Sequence, residues 1–143
     1  MAVRRVRDIE MGYEEAGSGQ PVLLLHGFPF DRTLWREQVE TLKDSYRVVT
    51  PDLRGLGETE ATDEPATMEE MARDVAALLD ELKITRAVVG GLSMGGYVAL
   101  AFYRLFPRRV RALVLADTRA QADTEDAKRT REETAQRALS KKA

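Results

Sequence analysis

The chain of 143 residues contains no cysteine and a single histidine, His26. Without thiols there is no disulfide, no thiolate zinc site and no cysteine nucleophile. One imidazole has to serve for any acid–base or metal-ligand chemistry that needs histidine. Long apolar runs are also missing. No segment approaches the ~20 residues that span a bilayer, and "MAVRRVRDIEMG" carries charges with no apolar stretch behind them, unlike a secretory signal. Nor is there an excess of one charge. Lys plus Arg number 22 against 24 for Asp plus Glu, a net charge of -2. That balance gives no electrostatic case for nucleic acid or a membrane surface as partner. A cytoplasmic location is expected, and the composition asks for no cofactor and no metal centre.

What is present is the material for a core: 43% of residues are hydrophobic and 32% charged, in the range of a single globular domain. "VLLLHG" (22–27) is an apolar run closed by a turn, as expected of a strand buried on both faces. "YRVVTPDLRG" predicts a strand over 46–50, stopped by Pro51, and "AVVG" and "VRALVLAD" (110–117) predict two more. Two short strands are expected before residue 17. Between the strands, Leu34, Trp35, Val39 and Leu42 fall at helical spacing, with Asp31 as a possible cap. Thr67 and Glu70 have capping-box spacing ahead of a helix that lines up Met71, Val75, Leu78, Leu79 and Leu82. A further helix is expected over 94–106. Strands alternating with helices argue for an α/β fold around a mostly parallel sheet. From Arg119 onward the composition shifts to Ala, Glu, Lys and Arg, with Leu139 as the one large apolar residue. A charged helix capped by Asp123 or Thr124 is expected there, with little to bury.

"GGLSMGG" (90–96) wraps Ser93 in glycines between a strand and a helix. Gly91-Leu92-Ser93-Met94-Gly95 is a G-x-S-x-G sequence in the context a nucleophile elbow needs. Glycine fits two residues before and after the serine, where the sharp turn brings backbones together. The helix that follows aims its first N–H groups at developing negative charge. "HGFP" (26–29), at the end of an earlier buried strand, supplies the other half of an oxyanion hole, with the Phe28 amide joining that of Met94.

The run "PVLLLHGFP…PDLRGLGET…VVGGLSMGGYVALAFYRLFPRRVRALVLADT" resembles the N-terminal portion of an α/β-hydrolase, of the esterase, haloperoxidase-like and enol-lactonase-like branch. The resemblance implies a six-stranded sheet of order 1-2-4-3-5-6, its first pair an antiparallel edge, lacking the last two strands of the family. It divides the chain into a partial core over 1–118 and, over 119–143, a helix that resembles the start of a lid. It implies Ser93 as nucleophile, Phe28 and Met94 as oxyanion donors, and His26 as a support for the oxyanion loop.

The family order of catalytic groups is Ser, then Asp or Glu, then His, and no histidine follows Ser93. Two stand-ins are available: His26 as general base and Asp117 as acid, the latter equally readable as a loop carboxylate. Asp52 and Arg54 are expected to brace their loop. An oxyanion hole alone can leave about 10³–10⁴-fold acceleration over water. The expectation is therefore a weak serine hydrolase of small activated carboxylic esters. The alternative is a catalytically inactive fragment, or half of a split hydrolase completed by a partner chain. An apolar strand over Arg111–Asp117 with no later strand beside it invites self-association through that edge, through the C-terminal helix, or both.

Overall fold

The computed structural model describes residues 1–141. Six strands, β1 (Ala2–Val6), β2 (Ile9–Ala16), β3 (Gln20–Leu25), β4 (Tyr46–Pro51), β5 (Ala87–Leu92) and β6 (Val110–Ala116), form one sheet in the order β1-β2-β4-β3-β5-β6. β1 pairs antiparallel with β2, and β2 antiparallel with β4; the pairs β3–β4, β3–β5 and β5–β6 are parallel. The sheet is thus mixed, its parallel half being the one that leads to Ser93.

The period-2 geometry of a strand sends alternate residues of β3 to opposite faces. Leu23 and Leu25 enter the larger core, with Val49, Val89, Val75, Leu78, Leu79 and Phe102. Val22 and Leu24 enter a smaller one on the other face, with Trp35 and Val48. The larger core is roofed by α2 (Met68–Glu81) and α3 (Met94–Leu105). The smaller is covered by a 3₁₀ turn over Arg32–Trp35 and by α1 (Arg36–Leu42), whose Val39 and Leu42 pack on it. Because both faces are covered, β3 reads as an unbroken apolar run and not as an alternating one.

Local signals set most element boundaries. Asp31 caps the 3₁₀ turn by accepting from the Thr33 amide at 2.8 Å. The single helix expected beyond it is instead this turn followed by α1. Thr67 and Glu70 close the capping box of α2 in both directions. β4 does not stop before Pro51 but includes it, opposite Tyr13, and the next amide, Asp52, bonds to the Gly12 carbonyl at 2.9 Å. α3 ends one residue before the expected Phe106. A short 3₁₀ turn over Pro107–Arg109 leads into β6.

After β6 the chain runs to α4 (Glu125–Ser140), capped by Thr124 and not by Asp123. Asp123 instead accepts from Arg119 at 2.9 Å and Arg131 at 2.6 Å. No residue of α4 is buried, as its composition implies. The last two residues of the expected 119–143 helix lie outside the described ones. No helix among the described residues is long and apolar enough to cross a membrane.

Candidate active site

Ser93 stands between the end of β5 and the start of α3, with φ 51° and ψ -115°. A side chain rarely takes such a backbone conformation, which costs on the order of 1–3 kcal/mol and persists only where its surroundings enforce it. Here they do. A Cβ on Gly91 would collide with the backbone of Gly95, and one on Gly95 with the carbonyls of Leu25 and His26. The Ser93 amide donates to the Ala116 carbonyl of β6 at 3.1 Å. Its own carbonyl accepts from the Thr118 hydroxyl at 2.8 Å. Glycines, a neighbouring strand and a threonine together hold the turn.

Ser93 is half-buried, and the amides on its two sides share one property. Neither Phe28 N–H nor Met94 N–H donates to a protein acceptor among the described residues. Met94 is the first residue of α3, where helix geometry leaves the N–H without a partner. Phe28 follows Gly27, whose Cα lies against the elbow: a Cβ there would sit 3.4 Å from the Ser93 Cβ.

His26 is fully buried beneath this loop. Its Nε2 accepts from the Leu53 amide at 2.9 Å, and its Nδ1 lies 2.9 Å from the Gly27 carbonyl. That pattern requires the neutral tautomer with hydrogen on Nδ1. Burial lowers the imidazole's pKa from its ordinary value, against the opposing pulls of the Gly27 carbonyl, Asp52 and Asp31. With both nitrogens engaged by backbone, His26 has no lone pair to offer Ser93, which removes it as the stand-in general base. It ties the turn after β3 to the turn after β4.

The same two turns are joined by Asp52, also fully buried. It accepts from the Arg32 amide at 2.7 Å, from the Arg32 guanidinium, and from the Glu58 amide at 2.9 Å. Asp52 thus braces a loop as expected, and the loop it fixes includes the segment that carries Phe28. Arg54 reaches further than expected. It bonds through Nε and Nη2 to Asp74 of α2, both at 2.8 Å, and to Asp8 of the β1–β2 turn at 2.7 and 3.0 Å. Asp117 follows β6 directly, with φ 44°, and is exposed. It makes no side-chain hydrogen bond or ion pair among the described residues, so no Ser–His–Asp relay is assembled from Ser93, His26 and Asp117.

Beside the elbow lies a cavity of about 870 Å³ that Phe28 and Met94 help to line. Tyr97, Leu100 and Ala101 of α3 form one wall, and Thr134, Ala135 and Ala138 of α4 the other. Arg104 pairs with Glu69 at its edge. No group of acidic or histidine side chains suited to a metal ion occurs among the described residues.

Residues 20–141 match the model of the alpha/beta hydrolase fold family. The chain belongs to this family. A thermophilic esterase from Thermogutta terrifontis, solved with malate bound, superposes with a TM-score of 0.89 at 52% identity, over 90% of this chain and 48% of that one. A protein of Azorhizobium caulinodans named for carbamate hydrolysis is 34% identical over 116 residues, 81% of this chain and 44% of that protein. Epoxide hydrolase 2 of Siraitia grosvenorii is 40% identical over 109 residues, 74% of this chain and 34% of that protein. The chain therefore spans about half or less of the length of these hydrolases.

Within this alpha/beta hydrolase chain, sequence reasoning missed Thr118 as the clamp on the Ser93 carbonyl and Asp74 as the partner of Arg54. Asp74 had a legible signal: a carboxylate on the same helical face as Met71 and Leu78 has to find a cation. Thr118 had none, because its role depends on β6 lying beside β5.

Proposed function

We propose that this chain is a weak serine hydrolase of small activated carboxylic esters, with Ser93 as nucleophile. The Phe28 and Met94 amides receive the oxyanion of the tetrahedral intermediate. One observation carries the reading: a strained, half-buried serine, followed by Met94 and lying against Gly27, with the Met94 and Phe28 amides both lacking protein partners. Such preorganised donors act where charge develops and need no reorganisation during the reaction. The cavity beside them is mostly apolar and suits the body of an uncharged ester. The esterase, carbamate-hydrolase and epoxide-hydrolase relatives are consistent with hydrolysis as the chemistry.

No general base is assigned. His26 is committed to the backbone, and Asp117 has no histidine to orient, so the rate rests on the oxyanion donors and on binding. That limits the chain to about 10³–10⁴-fold over water, and to esters with good leaving groups.

The test is p-nitrophenyl acetate hydrolysis by the purified chain and by Ser93→Ala. Slow turnover proportional to wild-type protein, lost in Ser93→Ala, supports the reading. Equal rates for the two proteins overturn it.

A further inference from the structure

We infer that Asp52 is a positioning residue for the Phe28 oxyanion donor, fixing the far end of a loop whose near end His26 fixes; the inference rests on the hydrolase reading above. Phe28 lies in the segment 26–31, which runs from the end of β3 to the 3₁₀ turn at Arg32. Within that segment one backbone hydrogen bond is made among the described residues, from the Phe30 amide to the Gly27 carbonyl at 3.0 Å. One internal bond leaves the Phe28 amide to be placed by the two ends. Both ends are held by consecutive residues just past β4. The Leu53 amide donates to His26 Nε2 at 2.9 Å, and the Asp52 carboxylate accepts from the Arg32 amide at 2.7 Å. Because β4 pairs with β3, the loop is pinned at both ends to the sheet it springs from, and rigid elements place functional groups more closely than loops do.

Asp52 is itself immobile. Its N–H donates to the Gly12 carbonyl at 2.9 Å, and its carbonyl accepts from the Thr59 hydroxyl at 2.7 Å. Its carboxylate is fully buried, and a Cβ on Gly57 would collide with Oδ2, so the backbone walls it in. The two oxygens divide the work. Oδ1 takes the Arg32 amide, while Oδ2 takes the Arg32 guanidinium and the Glu58 amide, the latter at 2.9 Å. An ionised carboxylate accepts at both oxygens, whereas an amide of the same shape accepts at one and donates at the other. Asparagine here would aim its NH₂ either at the Arg32 amide or at the guanidinium and Glu58. It cannot hold the oxyanion loop and its own loop together. Arg32 would still have a counter-charge, because Glu14 of β2 lies 3.5 Å from its Nε.

The test combines p-nitrophenyl acetate kinetics with ¹⁵N relaxation of the Phe28 amide, in the wild type and in Asp52→Asn. Val75→Ala, a cavity in the larger core, controls for lost stability, and circular dichroism checks folding. The Ser93-dependent kcat of Asp52→Asn is expected to fall about tenfold or more, with KM within about twofold, since a misplaced oxyanion donor is missed in the transition state and not in the bound ester. Its Phe28 order parameter is expected to drop from about 0.85 to below about 0.6. Val75→Ala keeps the wild-type kcat, KM and order parameter. Where Asp52→Asn does not fold, Asp52→Asn with Arg32→Pro takes its place: proline suits the first position of a helical turn, removes the anchored N–H and leaves no cation behind. An unchanged kcat, a loss carried in KM, a Phe28 amide as rigid as in wild type, or an equal loss in Val75→Ala overturns the inference. If wild type and Ser93→Ala hydrolyse the ester alike, the hydrolase reading falls, and the relaxation decides alone: a loosened Phe28 amide upholds the hold by Asp52, and a rigid one overturns it.

Discussion

His26 illustrates how burial changes what a residue can do. An imidazole with one nitrogen receiving an amide and the other giving its hydrogen to a carbonyl is a neutral strut, and protonation would break the bond from Leu53. Burial keeps its folded pKa below the ordinary 6.5. In the unfolded chain the same ring protonates near that value. Below pH 6.5 the unfolded state therefore binds the proton first, and stability falls with pH by up to about 1.4 kcal/mol per unit until the folded pKa is reached. Above pH 6.5 the contribution is constant. Asp8 does not confuse this window. The Arg54 hydrogen bond holds its carboxyl down to about 2 from 3.8, so its contribution persists above 3.8 and fades as pH falls through 2. Urea midpoints of the wild type are expected to drop between about pH 7 and pH 5.5. His26→Gln is expected to be less stable at neutral pH and to lack that drop. Parallel pH profiles for the two proteins would contradict the neutral-strut assignment. The sequence showed His26 at the end of a buried strand. It could not show the acceptor role, because Leu53 comes 27 residues later and meets it only through the pairing of β3 with β4.

Elements are locked to one another by a charged cluster around Arg54. Asp74 of α2 has no exposed side-chain surface and Arg54 has 4%, while Arg7 donates to the same carboxylate at 2.7 Å. The Asp74 and Asp8 carboxylates raise the Arg54 pKa, so the guanidinium stays charged at every relevant pH. The cluster joins the β1–β2 turn, the loop after β4 and α2. Removing one partner strands the other in a dry setting. Asp74→Ala is expected to cost about 3–5 kcal/mol in urea unfolding, and Arg54→Met with Asp74→Leu to recover most of it, since the charges then left over, Arg7 and Asp8, reach solvent. An additive or worse double variant would show that the cluster is not a closed unit. Element type was legible throughout, because apolar period and capping residues are local: Thr67 with Glu70, Asp31, and the run of β3. Where expectation and structure differ, as at Pro51 and in the 3₁₀ turn before α1, the cause is a neighbour in space. β2 carries the ladder past Pro51, and Asp52 draws the chain at Arg32 inward.

At the scale of the molecule, the strand order was not legible from periodicity and came from the family resemblance. Alternation of strands and helices gives layering but not the placement of β4 between β2 and β3. The two motifs around Ser93 were legible as sequence. Their convergence was not, because it needs β3 and β5 side by side. Among the described residues β6 is paired on one side only, which has a consequence measurable as amide hydrogen exchange. β5 lies between two strands, so its amides are expected to exchange only with global opening. Along β6 a monomer has two classes of amide in alternation. Val114 and Ala116, turned toward β5, are held, and Leu113 and Leu115, turned to water, are free. Residue-resolved exchange would show a slow–fast alternation along β6. One strand would thus report, amide by amide, which of its two sides is paired.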